Sequence, residues 1–156
     1  MDLKIIDPLK CDQFVSMFQH MKQFTDFTNI TFQDDRMYLQ CMDNAAVCIF
    51  EIILPASWFN EYNLKEGSVV IGINTGILYK VLSAKDKSQT IQLNTSDDHL
   101  SIHFVSTEDS SSKNVFDKHF EIPLLDVQTD LMEIPDMEHQ AELTIPSNTF
   151  ANLINQ

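Results

Sequence analysis

The sequence is poor in positive charge. Ten Lys and Arg stand against 23 Asp and Glu, a net charge of −13 over 156 residues. A chain this acidic repels phosphate overall, so it is not expected to grip nucleic acid by charge alone. No apolar run reaches the ~18 positions that a membrane-spanning helix requires. The opening Met1-Asp2-Leu3-Lys4-Ile5 has no basic flank and no small-residue cleavage pattern, so it does not read as a signal peptide. The three cysteines, Cys11, Cys41 and Cys48, are odd in number and lack C-x-x-C spacing. They read as buried free thiols in a reducing compartment. There is no P-loop, no G-x-S-x-G and no H-E-x-x-H. His99 and His103 can share a strand face, but they have no Cys or carboxylate partners at metal-ligand spacing. Asp34-Asp35 and Asp97-Asp98 fall in turns, where aspartate is favoured for backbone reasons. No catalytic residue, metal site or cofactor is expected, and a metal-dependent enzyme acting on nucleic acid finds little support.

Hydrophobic residues make up 44% of the chain, enough for a packed core in one domain or a little more. The acidity is uneven. From Asp97 onward 12 acidic residues face 2 basic ones, whereas residues 1–96 carry 11 and 8. The acidic second half is either a solvated surface or a surface for basic partners, and composition alone favours the former.

Along the chain, Leu3 to Ile6 reads as a short strand, and Pro8 opens a helix. Phe14, Met17, Phe18, Met21 and Phe24 recur at spacings of three and four, an apolar stripe for the core. Thr28–Phe32 and Met37–Met42 read as strands around the turn Gln33-Asp34-Asp35-Arg36. Ala46–Leu54 is almost uniformly apolar and suggests a strand covered on one face and partly on the other. Trp58, Phe59 and Tyr62 form an aromatic cluster in the following loop. Ser68–Asn74 is a strand. Thr75–Ser83 is a helix with Ile77, Leu78, Val81 and Leu82 inward and Lys80 outward. Thr90–Asn94 and Leu100–Ser106 form a hairpin, and Glu108–Asn114 a Ser/Asp-rich loop. Phe116–Ile122 is a strand. Pro123–Pro135 reads as an extended connector leaning on something apolar. Glu138–Ile145 is a strand, and Ser147 N-caps a helix with Phe150, Leu153 and Ile154. Leu143–Ile145 with Phe150–Ile154 weakly repeats Leu3–Ile6 with Phe14–Phe24, so the chain ends early in a second copy.

Several motifs in order resemble the sliding clamp family of the proliferating-cell-nuclear-antigen type. Leu39-Gln40-Cys41-Met42-Asp43 resembles L-Q-x-M-D. Trp58-Phe59-Asn60-Glu61-Tyr62 resembles G-F-x-x-Y, with Trp for Gly. Gly72-Ile73-Asn74 ahead of Lys80-Val81-Leu82 resembles G-V-N and its K-I-L helix. Phe120-Glu121-Ile122, Leu124, Asp126 and Ile134-Pro135 keep the spacing of the interdomain connector. Ile145-Pro146-Ser147 with Phe150-Ala151 resembles M-P-S-x-x-F-A of the second domain.

The resemblance implies an α+β DNA clamp fold, with a first clamp domain at 1–123, a connector at 124–138 and the start of a truncated second domain at 139–156. It implies a DNA polymerase processivity factor, not an enzyme, that encircles duplex DNA and recruits replication and repair proteins. A ring stays on DNA by topology, so weak direct contacts suffice. Lys10, Lys22 and Lys80 are the DNA-facing candidates, with Lys85 and Lys87 nearby; Val15, Ser16 and Ser83 stand where the family often has lysine. A peptide of the form Q-x-x-apolar-x-x-aromatic-aromatic is expected in a pocket made by Met42, Val47, Leu131, Met132, Ile134 and Pro135. A few anchors at ~1.5–3 kcal/mol each, less ordering costs, suggest micromolar affinity. Ala46, where the family commonly has histidine, and Glu133, in place of a small residue, bear on which motif is preferred. Val115, Phe116, Lys118, Phe120 and Ile122 form the edge strand that would meet a neighbouring subunit.

Implied partners are polymerases and other proteins carrying clamp-binding peptides, a clamp loader, and other clamp subunits, three in the full-length ring. The implied place is the nucleus, or the site of viral DNA replication. With half a subunit, the expectation is a weak dimer, a heterocomplex with a complete clamp, or an isolated fragment. The alternative is a stand-alone interaction module that binds clamp-interacting peptides without forming a ring.

Overall fold

The computed structural model describes residues 1–65, 67–96, 98–106, 115–127, 131–134 and 140–155. The elements run β1 (Asp2–Ile5), α1 (Pro8–Met21), β2 (Phe27–Gln33), β3 (Arg36–Met42), β4 (Ile49–Pro55), a 3-10 turn (Ala56–Trp58), β5 (Glu61–Asn63), β6 (Val69–Asn74), α2 (Thr75–Leu82), β7 (Gln89–Thr95), β8 (His99–Ser106), β9 (Lys118–Pro123) and α3 (Ser147–Ile154). Two antiparallel sheets result, a five-stranded one in the order β5-β1-β7-β8-β9 and a four-stranded one in the order β4-β3-β2-β6.

Asp7 starts α1: its side chain accepts from the backbone of Leu9 and Lys10, and Pro8 supplies the fixed φ of a first helical turn. Asn74 starts α2 in the same way, accepting from Ile77 N at 2.8 Å. One core joins both sheets to α1 and α2. Phe14, Phe18 and Leu78 from the helices meet Ile30, Phe32, Met37 and Ile71 of the four-stranded sheet and Leu93 and Leu100 of the five-stranded one, around a void of only about 10 Å³. Packing that tight makes a large-to-small change at fully buried Phe18 cost about 3–5 kcal/mol.

The α+β class and most of the order of elements along the chain agree with the expectation; β5, expected as loop, is an addition, and the corrections are local. Phe24 lies past the end of α1 and stacks on Phe50 at 5.3 Å instead of extending the core stripe. Ile77 is exposed, whereas Thr75, Leu78 and Leu82 are the buried residues of α2. Ala46–Cys48 belong to a turn, not to a strand: the Asp43 carboxylate accepts from Val47 N at 2.8 Å and Cys48 N at 2.6 Å, and Ala46 takes a left-handed φ of 56°. These backbone N–H groups hold the Asp43 carboxyl below its ordinary range. β4 is a sheet edge whose residues alternate, so Ile49 and Ile53 face outward, uncovered. Cys48 is exposed, unlike Cys11 and Cys41. β9 begins at Lys118, so Val115 and Phe116 precede it. Residues 140–145 make no strand, lacking a sheet neighbour among the described residues, and Pro146, not Ser147, holds the cap position of α3. The second copy therefore shows only its helix.

Candidate partner-binding groove

The two sheets differ in what they turn outward. On the five-stranded sheet the register alternates buried Leu3, Leu93 and Ile102 with outward Lys4, Gln92 and His103, and His119 and Glu121 continue that polar face. On the four-stranded sheet the outward positions include Phe27, Met42, Ile49, Ile53 and Val70, all exposed. Exposed apolar side chains on one sheet face, here set among the polar Asn29, Tyr38, Gln40 and Glu51, are the feature that calls for a partner.

The segment after β9 lies across this face. Leu125 N donates to Gly72 O at 2.9 Å and bridges the open edge of β6. Asn29 of β2 donates its amide to Val127 O at 2.7 Å. Gln40 of β3 holds Met132 by both ends of its amide, Oε1 accepting from Met132 N at 2.7 Å and Nε2 donating to Met132 O at 2.9 Å. The segment thus meets β6, β2 and β3 in the order in which they lie in the sheet. Gly72 makes its start possible: a Cβ there would stand 2.1 Å from Leu125 O.

Beside Met132 opens a cleft of about 240 Å³. Thr25, Phe27, Thr28, Gln40, Cys41, Met42 and Met132 line it. Thr28 Oγ1 and Cys41 Sγ hydrogen-bond across the floor. Burial raises the Cys41 thiol above its ordinary value, keeping it an inert part of the wall.

Of the expected pocket residues, the structure brings together Met42 and Met132. Val47 is 80% exposed in the Asp43 turn, and Leu131 and Ile134 are exposed outside the cleft lining. Pro135 lies outside the described residues. Gln40, Thr25 and Phe27 were missed. Alternation could have found Gln40, which sits two residues before Met42 on the same strand face; nothing local ties Thr25 to it.

Residues 10–131 match the family described as proliferating cell nuclear antigen, N-terminal domain. The chain belongs to this family. Its members are clamps, not enzymes. The chain is 28% identical over 135 residues to the proliferating cell nuclear antigen of Chaetomium thermophilum, covering 85% of this chain and 50% of that protein. To the DNA polymerase sliding clamp of Pyrococcus horikoshii it is 23% identical, covering 85% and 50%. In fold it superposes on a chain of the PCNA2–PCNA3 complex of Sulfolobus tokodaii with a TM-score of 0.76 at 22% identity, over 88% of this chain and 52% of that one. The chain spans about half the length of the curated relatives it matches, which come from eukaryotes and archaea.

The lysines expected to face DNA stand differently from one another in this clamp-family chain. Lys80 is exposed on α2. Lys22 lies 4.0 Å over the Tyr79 ring, which links the end of α1 to α2. Lys10 is half-buried, its ammonium donating to Trp58 O at 2.6 Å. Lys85 is no part of a basic surface: its side chain is 3% exposed and pairs with Asp12 at 3.5 Å. On β9, Ile122 is buried in the core and Phe120 packs on Phe104 at 5.8 Å, while Lys118 reaches Asp86 at 2.7 Å. What β9 leaves open is its backbone edge, at the end of its sheet.

Proposed function

We propose that the chain serves as part of a sliding clamp, a DNA polymerase processivity factor that recruits replication and repair proteins by their clamp-binding peptides. One observation carries the reading. In a chain of this family, the apolar outer sheet face is crossed by a segment pinned through Gln40 and Met132, leaving a cleft beside Met42 of a size to take an apolar side chain. A peptide docking there lays apolar and aromatic anchors into the groove while its backbone follows the crossing segment. Met42 and Met132 are its first contacts. Val47, Leu131 and Ile134 are an outer rim.

Duplex DNA would pass along the helical side, met by Lys80 and Lys22 and less by Lys10, whose charge is already engaged. Residues 1–123 act as a clamp domain and 124–138 as its connector to a second domain. Other clamp subunits join along the backbone edge of β9, three to a full-length ring, and a clamp loader opens it. The nucleus is the corresponding location.

The test is calorimetric titration with a peptide of the form Q-x-x-apolar-x-x-aromatic-aromatic, beside a Met42→Ala variant. Micromolar binding that weakens about tenfold or more in the variant is expected. Equal binding by both proteins places the site elsewhere, and no binding removes the recruiting role from this chain.

A second reading, a module that binds such peptides without closing a ring, rests on the same cleft, which a single chain forms by itself. Light scattering separates them: a closed homotrimer of this chain contradicts the module.

A further inference from the structure

The polar outer face of the five-stranded sheet holds a cluster that the peptide groove does not use. His103 on β8 and His119 on β9 are direct cross-strand partners. The Nδ1 of His119 lies 3.0 Å from one ring nitrogen of His103 and 3.2 Å from the other, and the rings are 4.2 Å apart between centroids. The second nitrogen of His119, Nε2, meets Glu121 Oε1 at 3.2 Å.

Two imidazoles on directly opposite strand positions can hold one metal ion when a ring nitrogen of each turns toward it. Metal–imidazole bonds of ~2.0–2.1 Å put adjacent ligand nitrogens about 3.3 Å apart in a tetrahedral site and about 2.9 Å apart at a right angle. The nearly equal distances to both His103 nitrogens set His119 Nδ1 over the face of the His103 ring, so a turn of that ring about its side-chain bonds brings one of its nitrogens to such a separation. The carboxylate completes the pattern. A histidine that binds metal usually gives its other ring N–H to a carboxylate, which fixes the tautomer and turns the free lone pair toward the metal. Glu121 stands in that place behind His119, so Nδ1 is the nitrogen left to coordinate.

We propose that His103 and His119 form a two-imidazole chelate for a divalent late-transition metal ion such as Zn(II), with Glu121 as the residue that positions His119. Among the described residues no group of three or more His, Cys, Asp and Glu side chains is disposed about one metal position. The protein therefore supplies two ligands, and water fills the remaining positions. Access is open, since the His119 and Glu121 side chains are 49% and 59% exposed. A bound ion would staple β9 to β8 at the sheet's open edge.

The experiment is calorimetric titration of the reduced protein with zinc chloride near pH 7.5, in a buffer that does not bind zinc. One ion per chain is expected at this site. His103→Ala and His119→Ala should each weaken binding at least tenfold, and Glu121→Gln should weaken it about tenfold. His99→Ala and Cys48→Ser, each removing another exposed donor, should leave it unchanged. Hydrogen exchange gives a readout independent of the heats: zinc should slow exchange of the β8–β9 ladder amides in the parent protein and not in His119→Ala. These are surface positions, and circular dichroism checks that each variant is folded. Absent binding by the parent protein, binding kept when both histidines are replaced, or binding lost with Cys48→Ser overturns the proposal.

Discussion

Gln40 grips the backbone of Met132 at both its N–H and its C=O, at 2.7 and 2.9 Å, across 92 positions of sequence. One side chain thereby sets how far the crossing segment stands from β3, and with it the width of the cleft beside Met42.

Replacing Gln40 with Ala should free that end of the segment without unfolding the domain. Two hydrogen bonds are lost, each worth about 0.5–1.5 kcal/mol, so local opening should become roughly 5- to 150-fold more frequent. The Met132 amide reports this directly. Hydrogen exchange there should accelerate by that factor while the amides of β2 and β6 stay protected. Unchanged Met132 exchange would show that the clasp does not hold the segment.

Gly72 controls the other end. In Gly72→Ala the new methyl would lie 2.1 Å from Leu125 O and 2.9 Å from Val127 Cγ2, so the segment must move. The expected cost is about 1–3 kcal/mol, with loss of the Leu125–Gly72 bridge. Urea unfolding should show the drop, and limited proteolysis should cut sooner between β9 and residue 134. A variant as stable and as resistant as the parent would contradict this account of the crossing.

The cysteines should react in two classes. Cys48 is exposed, whereas burial raises the Cys11 and Cys41 thiols, which also lie out of reach in the core. A thiol-reactive dye should modify one site per native chain quickly, and the other two only on unfolding. Peptide mapping should place the fast adduct on Cys48; rapid labelling of Cys41 would mean that the cleft floor opens.

Tyr62 predicts an alkaline limit. Its hydroxyl donates to Gln33 O at 2.6 Å and Arg36 O at 2.7 Å, tying β5 to the β2–β3 turn. Burial first, then Asp35 and Asp34, push its pKa up to about 12 from an ordinary value near 10. A folded pKa above the unfolded one contributes stability that is complete below pH 10 and lost as pH rises toward 12. The Tm of the parent should fall through that window more steeply than that of Tyr62→Phe. Parallel curves would exclude Tyr62 as the cause.

Local pattern carried much of the fold. The three- and four-residue spacing from Phe14 to Met21, the strands read at Thr28–Phe32 and Met37–Met42, and the contacts among Trp58, Phe59 and Tyr62 stand in the structure, with Tyr62 on β5 and not in a loop. The misreadings share a cause. The apolar run Ala46–Leu54 suggests a strand covered on one face and partly on the other, yet Ile49 and Ile53 stand exposed, because sequence records apolarity and not which neighbour covers it. Lys85 and Lys80 look alike in sequence, yet Asp12 buries one and solvent keeps the other. Val47 and Met42 sit close in sequence, but the Asp43 turn carries Val47 out of the cleft.

By itself, the sequence determined the acidic balance, the α+β class, the order of most elements and the family motifs, because periodicity, capping and turn chemistry act over a few residues. Only the tertiary structure decided what those elements build together. The cleft needs Thr25, Gln40 and Met132, and the histidine cluster needs His103 opposite His119. Such pairings depend on strand register and on the course of a segment over a sheet, which are properties of the packed chain and of no local stretch of it.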